Sequence, residues 1–148
     1  MSIIEVTEPE KDRVYFWLRE FNYSRNGDFM RSLELGETQT PLFLAARNSL
    51  GTIVGGLEGF LIHQWLRIGI MAVAPEHRQQ GFGRDLVRRA EDIARDHGCF
   101  FSYIDTMSYQ APEFYASLGY LEVGRIENWD SHGHHKVFFT KNLRLNEA

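Results

Sequence analysis

The fold of this chain is decided by the stretch Ala72-Val73-Ala74-Pro75-Glu76-His77-Arg78-Gln79-Gln80-Gly81-Phe82-Gly83-Arg84. An apolar run from Ile68 to Val73 ends at Pro75, and a proline cannot donate to a strand ladder, so it marks the end of a strand. A long amphipathic pattern begins at Phe82 and closes at Gly98, where a glycine is typical of a helix C-terminus. The stretch therefore predicts a strand, a glycine-containing turn and a helix in succession.

The turn has the composition of an anion-binding site. Gly81 and Gly83 let the backbone approach an anion closely, and the free N–H groups of the first helical turn would point at it. Two familiar phosphate motifs do not fit, because Arg84-Asp85 follows Gly83 where a P-loop needs Lys-Ser/Thr, and Leu86 stands where the dinucleotide fingerprint needs a small residue. The alternative is that the glycines only ease a tight turn.

The pattern Arg78-x-x-Gly81-x-Gly83 resembles the acyl-CoA-binding signature of the GNAT superfamily of N-acetyltransferases. A second segment, from Phe114 to Tyr120, is similar to the later aromatic-Tyr-x-x-x-Gly-aromatic segment of that family. The resemblance implies an α/β, GNAT-like fold, with a mixed, mostly antiparallel central sheet of about seven strands flanked by about four helices. It also implies a single domain over residues 1–148, with acetyl-CoA as the cosubstrate.

The resemblance assigns the cofactor to the turn, to the strand before it and to one position after the next strand. In GNAT proteins the strand before the turn splays from its neighbour and pairs through its backbone with the amides of pantetheine. The alternative for these strand residues is plain sheet core. The residues implied to bind acetyl-CoA are Met71, Ala72, Val73, Arg78, Gln79, Gln80, Gly81, Phe82, Gly83, Arg84 and Ser108, the last standing where many relatives have an asparagine.

Attack of an amine on a thioester requires removal of the amine proton, stabilisation of an oxyanion and protonation of the leaving thiolate. Tyr115 occupies the place of the family's general-acid tyrosine, and a packing role is the alternative. Many family members carry an acidic residue on the strand leading into the turn, but residues 65–74 contain none. We therefore rank Asp105 first and Glu58 second as the base, although a solvated or capping carboxylate is the ordinary fate of either.

The N-terminal region predicts a short strand over Ser2–Thr7 and two helices, near residues 9–21 and 28–36, separated by turn residues. In GNAT-like proteins the loop between these helices helps to form the acceptor pocket. An ordinary solvated loop is the alternative. The candidate acceptor-binding residues are Tyr23, Arg25, Asp28 and Glu58.

The predicted activity is acetyl transfer to a primary amine of a small molecule. Two alternatives stay open: acetylation of a protein N-terminus or lysine, and a catalytically inert CoA-binding module. The net charge of −4 gives no broad basic field for nucleic acid, and no apolar run approaches the length of a membrane span. The single cysteine, Cys99, is interpreted as a buried apolar residue, and the predicted location is the cytoplasm.

Two further expectations concern the end of the chain. Three histidines between residues 132 and 135 lack the spacing of known metal sites, so a polar hairpin and no metal are predicted. Apolar residues of the last two strands lie near one end of the sheet and predict a homodimer. Those residues are Val123, Ile126, Trp129, Val137, Phe138 and Phe139.

Overall fold

The computed structural model describes residues 3–5, 8–35 and 39–144, which fall into two compact units, Met1–Thr38 and Gln39–Ala148. The regular part of the first unit is one helix, α1 (Glu8–Glu34). No helix in the described ranges is long and apolar enough to cross a membrane. The cytoplasmic location and the absence of membrane and nucleic-acid partners stay predictions.

The two predicted N-terminal helices are present, but they are joined by a kink at Asn26 where a loop of several residues was predicted. Helix α1 runs through residues 22–28 and is interrupted only at Asn26, where φ is −149° and ψ is 61°. Turn-favouring side chains are accommodated there because they bond locally, as when the Ser24 hydroxyl donates to a carbonyl one turn earlier at 2.7 Å. Tyr23 and Arg25 therefore lie on a helix.

Two N-terminal predictions fall partly or wholly outside the described residues. Of the predicted strand Ser2–Thr7, residues 3–5 are described and have no regular structure, and the remainder lies outside the description. The helix end predicted at Gly36 also lies outside it.

The second unit contains six strands and two α-helices in its described residues. Its sheet has the strand order β1-β2-β3-β4-β6-β5, in which only β3 and β4 are parallel. The predicted mixed, mostly antiparallel α/β sheet is confirmed, with six strands where about seven were expected. The elements are β1 (Thr40–Arg47), β2 (Ile53–Ile62), β3 (Trp65–Val73), a 3-10 turn (Pro75–His77), α2 (Phe82–Asp96), β4 (Phe101–Met107), α3 (Pro112–Ser117), β5 (Leu121–Ile126) and β6 (Lys136–Asn142).

Helix α2 packs on one face of the sheet, which we call the first face. Its apolar stripe, with Val87 and Ala90 fully buried, joins side chains from five strands, β1, β2, β3, β4 and β6, in one core. Cys99 is buried there too, as interpreted from the sequence. The core also encloses an ion pair in which Lys141 Nζ lies 3.0 Å from a Glu91 carboxylate oxygen.

Side chains alternate along each strand, so the residues between the core positions point to the other face of the sheet. We call this the second face. It is formed by Glu58, Phe60, Arg67, Tyr103, Asp105, Lys136 and Phe138.

Candidate active site

The parallel pair β3–β4 holds together over only four residues of each strand. Its register ends at Ile68 opposite Ile104. Beyond that point β3 continues to Val73 and β4 to Met107 without pairing with each other. The predicted splay of the strand before the turn is confirmed.

A β-bulge accompanies the splay. Glu58 of β2 pairs with Ile70 of β3. The next residue of β2, Gly59, pairs with Ile68, so Gly69 is an extra residue in β3. Such a bulge bends and twists its strand. A Cβ on Gly59 would clash with the Arg67 carbonyl oxygen of β3, so the two strands approach each other closely at the bulge.

The turn after β3 presents an uncapped helix N-terminus. Helix α2 begins at Phe82, and no side chain of the described residues caps it at Gly81. The φ of Gly81 is +92°, a left-handed conformation that favours glycine, and a Cβ there would lie 2.8 Å from the Arg84 guanidinium. Gln79 and Gln80 are exposed in the same turn. The N–H groups of the first helical turn are thus available to an anion.

Two arginines flank this turn, and they differ in their remaining capacity to bind an anion. Arg78 donates through Nε to the Val73 carbonyl at 3.1 Å, which leaves its terminal N–H groups for a ligand. Arg84 is exposed and pairs through Nε with Asp85 at 3.0 Å, so its charge is partly compensated.

The splayed strand, the turn and α3 meet at Gly83. A Cβ on Gly83 would lie 3.3 Å from Phe114 Cζ and 3.7 Å from Met71 Sδ. The Phe114 ring packs edge-on against the Tyr115 ring, with 5.1 Å between centroids. The two sequence motifs therefore lie side by side. Past Met71, β3 continues through Ala72, which is exposed, and Val73, which is half-buried.

Tyr115 is 7% exposed on α3. Its ring contacts Tyr120 at 6.0 Å and Phe139 at 6.4 Å between centroids. Burial raises the pKa of the Tyr115 phenol above its ordinary value of 10.0, so the group stays protonated at neutral pH. Its hydroxyl makes no hydrogen bond within the described part of the chain, and it keeps its proton available for a ligand.

Asp105 lies on the second face, one residue past the last β3–β4 pair. Its carboxylate accepts a hydrogen bond from Arg67 Nη2 at 2.8 Å and lies 2.9 Å from Lys136 Nζ. Burial alone would raise its pKa, but the hydrogen bonds and charges of Lys136 and Arg67 outweigh burial and hold the pKa below its ordinary value. A carboxylate stabilised in this way has little tendency to take a proton, which weakens the case for Asp105 as the base.

Glu58 is exposed on the same face and pairs, backbone to backbone, with Ile70 at the bulge. Its carboxylate has no side-chain partner among the described residues. Glu58 therefore lies beside the splay, with no cation of the described residues paired with its carboxylate.

The other acceptor candidates lie in the first unit. Tyr23 and Arg25 are on α1, and both make cation–π contacts within this helix. The Arg19 guanidinium lies 5.7 Å from the Tyr23 ring centroid, and the Arg25 guanidinium lies 5.5 Å from the Phe21 ring centroid. Asp28 follows the break in α1 and pairs with an arginine one turn on.

Ser108 follows β4 and ties it to the start of β6. Its N–H donates to the His135 carbonyl at 2.9 Å, and its hydroxyl oxygen accepts from the His135 N–H at 3.1 Å. The Ser108 O–H remains free to donate to a ligand.

The segment that carries the three histidines is a hairpin organised around Asp130. The Asp130 carboxylate accepts hydrogen bonds from the backbone N–H groups of His132 and His134. The described residues contain no cluster of three or more potential metal ligands.

The chain matches the model of the acetyltransferase (GNAT) family over residues 7–120. It is 41% identical over 80 residues to blasticidin-S acetyltransferase of Streptomyces morookaense, a match that covers 53% of this chain and 59% of that protein. It is 34% identical over 85 residues to an acetyltransferase of Agrobacterium fabrum, with 57% of this chain and 62% of that protein covered. The matches thus span about three fifths of these relatives.

A solved structure of an acetyltransferase from Bacillus cereus has the same fold. Its TM-score to this chain is 0.72 at 31% identity, and the alignment covers 96% of this chain and 97% of that one. Together with the family match, this shows that the chain belongs to the acetyltransferase (GNAT) family.

Sequence reasoning missed three side chains of this site. Arg67 and Lys136 hold Asp105, and Phe114 closes the space above Gly83. The aromatic segment that carries Phe114 was identified, but nothing in it indicated a contact with the turn. The two cations carried no signal, because their partner lies on another strand.

Proposed function

We propose that this chain transfers an acetyl group from acetyl-CoA to a primary amine of a small molecule, by direct attack in a ternary complex. The observation that carries the proposal is the splay of β3 from β4 after Ile68, followed by the uncapped N-terminus of α2. A helix N-terminus suits the CoA pyrophosphate. The unpaired edge of β3 suits the amides of pantetheine, much like an added strand.

The proposed chemistry requires three proton transfers. A base removes a proton from the ammonium, and the amine nitrogen then attacks the thioester carbon. The attacking nitrogen, which is cationic in the tetrahedral intermediate, loses a second proton to the solvent. The oxyanion collapses, the carbon–sulfur bond breaks, and the sulfur takes a proton from the Tyr115 phenol, which is restored from solvent. The net reaction converts ammonium and acetyl-CoA into amide, free CoA thiol and one proton.

A small-molecule acceptor is supported by the relative named for its action on blasticidin S. The experiment is to incubate the protein with acetyl-CoA and to measure free thiol over a panel of small amines, N-terminal peptides and lysine peptides. We expect turnover with small amines. Turnover with peptides alone would favour a protein acetyltransferase, and calorimetric binding of acetyl-CoA without any turnover would favour an inert CoA-binding module.

The turn is tested by Gly83→Val. We expect the dissociation constant for acetyl-CoA to rise about tenfold or more, about 1.4 kcal/mol, because a side chain there blocks close backbone approach and presses on Phe114. Calorimetry measures the affinity, and circular dichroism checks that the fold is retained.

The matched control for this substitution is Gly124→Val on β5, where an added Cβ meets nothing within 4 Å. Its affinity for acetyl-CoA should equal that of the unmodified chain. Equal affinity in the Gly83→Val protein would remove the turn from the binding site.

The homodimer is proposed through β5, an edge strand whose six residues are all exposed. Val123 and Ile126 are 61% and 43% exposed, whereas Val137 and Phe139, which the sequence grouped with them, are buried in the core. We expect light scattering at tens of micromolar, roughly, to give twice the monomer mass. A monomer mass at that concentration would refute the dimer.

A further inference from the structure

We propose that the acceptor amine also carries a carboxylate, and that Lys136 and Arg67 bind this carboxylate on the second face of the sheet. The inference rests on the proposed function, since it names the acceptor class for the same site. It is carried by a cluster of two cations and one carboxylate at the splay.

The cluster lies where the two parallel strands part. Arg67 precedes the last paired residue of β3, and Asp105 follows the last paired residue of β4. Lys136, the first residue of β6, reaches the same carboxylate from the other side, with 2.9 Å between Nζ and Oδ2. A ligand bound here would therefore lie beside the unpaired edge of β3 that is proposed to bind pantetheine.

The cluster has a net positive charge and unused hydrogen-bond donors. Two cations face one carboxylate, so its formal charge is +1. A lysine ammonium has three donors and an arginine guanidinium five, and each cation spends donors on Asp105. Arg67 Nε is buried and has no partner among the described residues, which is a costly state for a donor. The Arg67 and Lys136 side chains are 31% and 23% exposed, so solutes can reach them.

Aromatic rings hold both cations in place. The Arg67 guanidinium lies 5.9 Å from the Phe60 ring centroid and 5.3 Å from that of Tyr103. The Lys136 ammonium lies 4.6 Å from the centroid of Trp129. Cations fixed by rings and by a shared carboxylate lose little freedom when they bind an anion, which favours binding over a flexible surface lysine.

The same face offers a partner for the ammonium of such an acceptor. Glu58 is two residues from Phe60, and Phe60 pairs with Arg67 across the strands. Residues two apart on a strand are separated by roughly 7 Å. An anion at the cluster and an ammonium at Glu58 are thus several ångströms apart, which fits an amino acid whose amine and carboxylate are separated by a short carbon chain.

The test compares ω-amino acids with alkylamines of the same chain length as acceptors. The readout is the ratio of KM for the alkylamine to KM for the amino acid, measured by thiol release. We expect Lys136→Gln to lower this ratio about tenfold or more, as suits the loss of a charge-assisted hydrogen bond. Lys136→Arg keeps the charge and should retain the preference. Arg89→Gln removes an equal charge from an exposed position of α2 and should leave the ratio unchanged.

An equal KM for both acceptor classes in the unmodified protein, or an unchanged ratio in Lys136→Gln, would overturn the proposal while leaving acetyl transfer intact. If no amine is acetylated, the proposed function fails, and calorimetry with the same compounds in the presence of CoA still tests the site. The carboxylate site would then be supported if the amino acids bind more tightly than the alkylamines and if Lys136→Gln abolishes this difference. Equal binding in both proteins would refute it.

Discussion

Replacement of Tyr115 by phenylalanine is expected to lower kcat by about 10² or more, which is typical for the loss of a general acid. The phenol is buried and unpartnered in the described part of the chain, so its hydroxyl serves no packing or hydrogen-bonding role that phenylalanine would disturb. The KM for acetyl-CoA should change by less than about twofold, because the lost interaction belongs mainly to the transition state. Steady-state kinetics on the best small amine gives both values.

The pH dependence of the same reaction has a defined sign. Because burial raises the pKa of Tyr115, the protonated acid persists to higher pH than an exposed tyrosine would. The catalytic contribution of the protonated Tyr115 phenol is complete below the ordinary pKa of tyrosine. It is lost as the pH rises through the raised pKa of Tyr115. Tyr109→Phe, at an exposed tyrosine, is the matched control and should keep normal turnover. Near-normal turnover of Tyr115→Phe would assign protonation of the sulfur to water.

The strand, turn and helix that form the proposed cofactor site could be predicted from the sequence because their determinants are local. Pro75, Gly81 and Gly83 act through proline and glycine backbone preferences within one short stretch, and the α2 stripe repeats at helical spacing. The contact between Gly83 and Phe114 joins two motifs that the sequence identified separately. Local sequence patterns identified the glycine turn and the aromatic segment, but only the fold brings these two segments into contact.

The proposed acceptor site depends on long-range strand pairing and could not be predicted in the same way. Arg67 and Asp105 are 38 positions apart, and their contact follows from a parallel pairing of β3 and β4 that no local pattern encodes. The sequence favours Asp105 as the base because it lies near the expected splay, and that position carries no information on the two cations beside it. The break predicted over residues 22–28 is only a kink at Asn26, because turn-favouring residues such as Ser24 bond within the helix.

The second large effect is expected from replacing the carboxylate that acts as the general base. We expect Glu58→Gln to lower kcat/KM by about 10² or more at neutral pH, because it removes a carboxylate that lies beside the splay with no partner among the described residues. Asp105→Asn should cost less than about tenfold, since Lys136 and Arg67 already hold that carboxylate in its ionised form.

The pH profile of kcat/KM separates the two carboxylates. A base works only when it is deprotonated, so activity falls as the pH drops through its pKa. Glu58→Gln should abolish this fall of kcat/KM at acidic pH, which is the acidic limb of the profile. Asp105→Asn should retain the acidic limb. Both substitutions remove one carboxylate charge at nearly constant size, so each is the control for the other. Loss of the limb in Asp105→Asn alone would identify Asp105 as the base and would mean that Lys136 and Arg67 release it when the substrates bind.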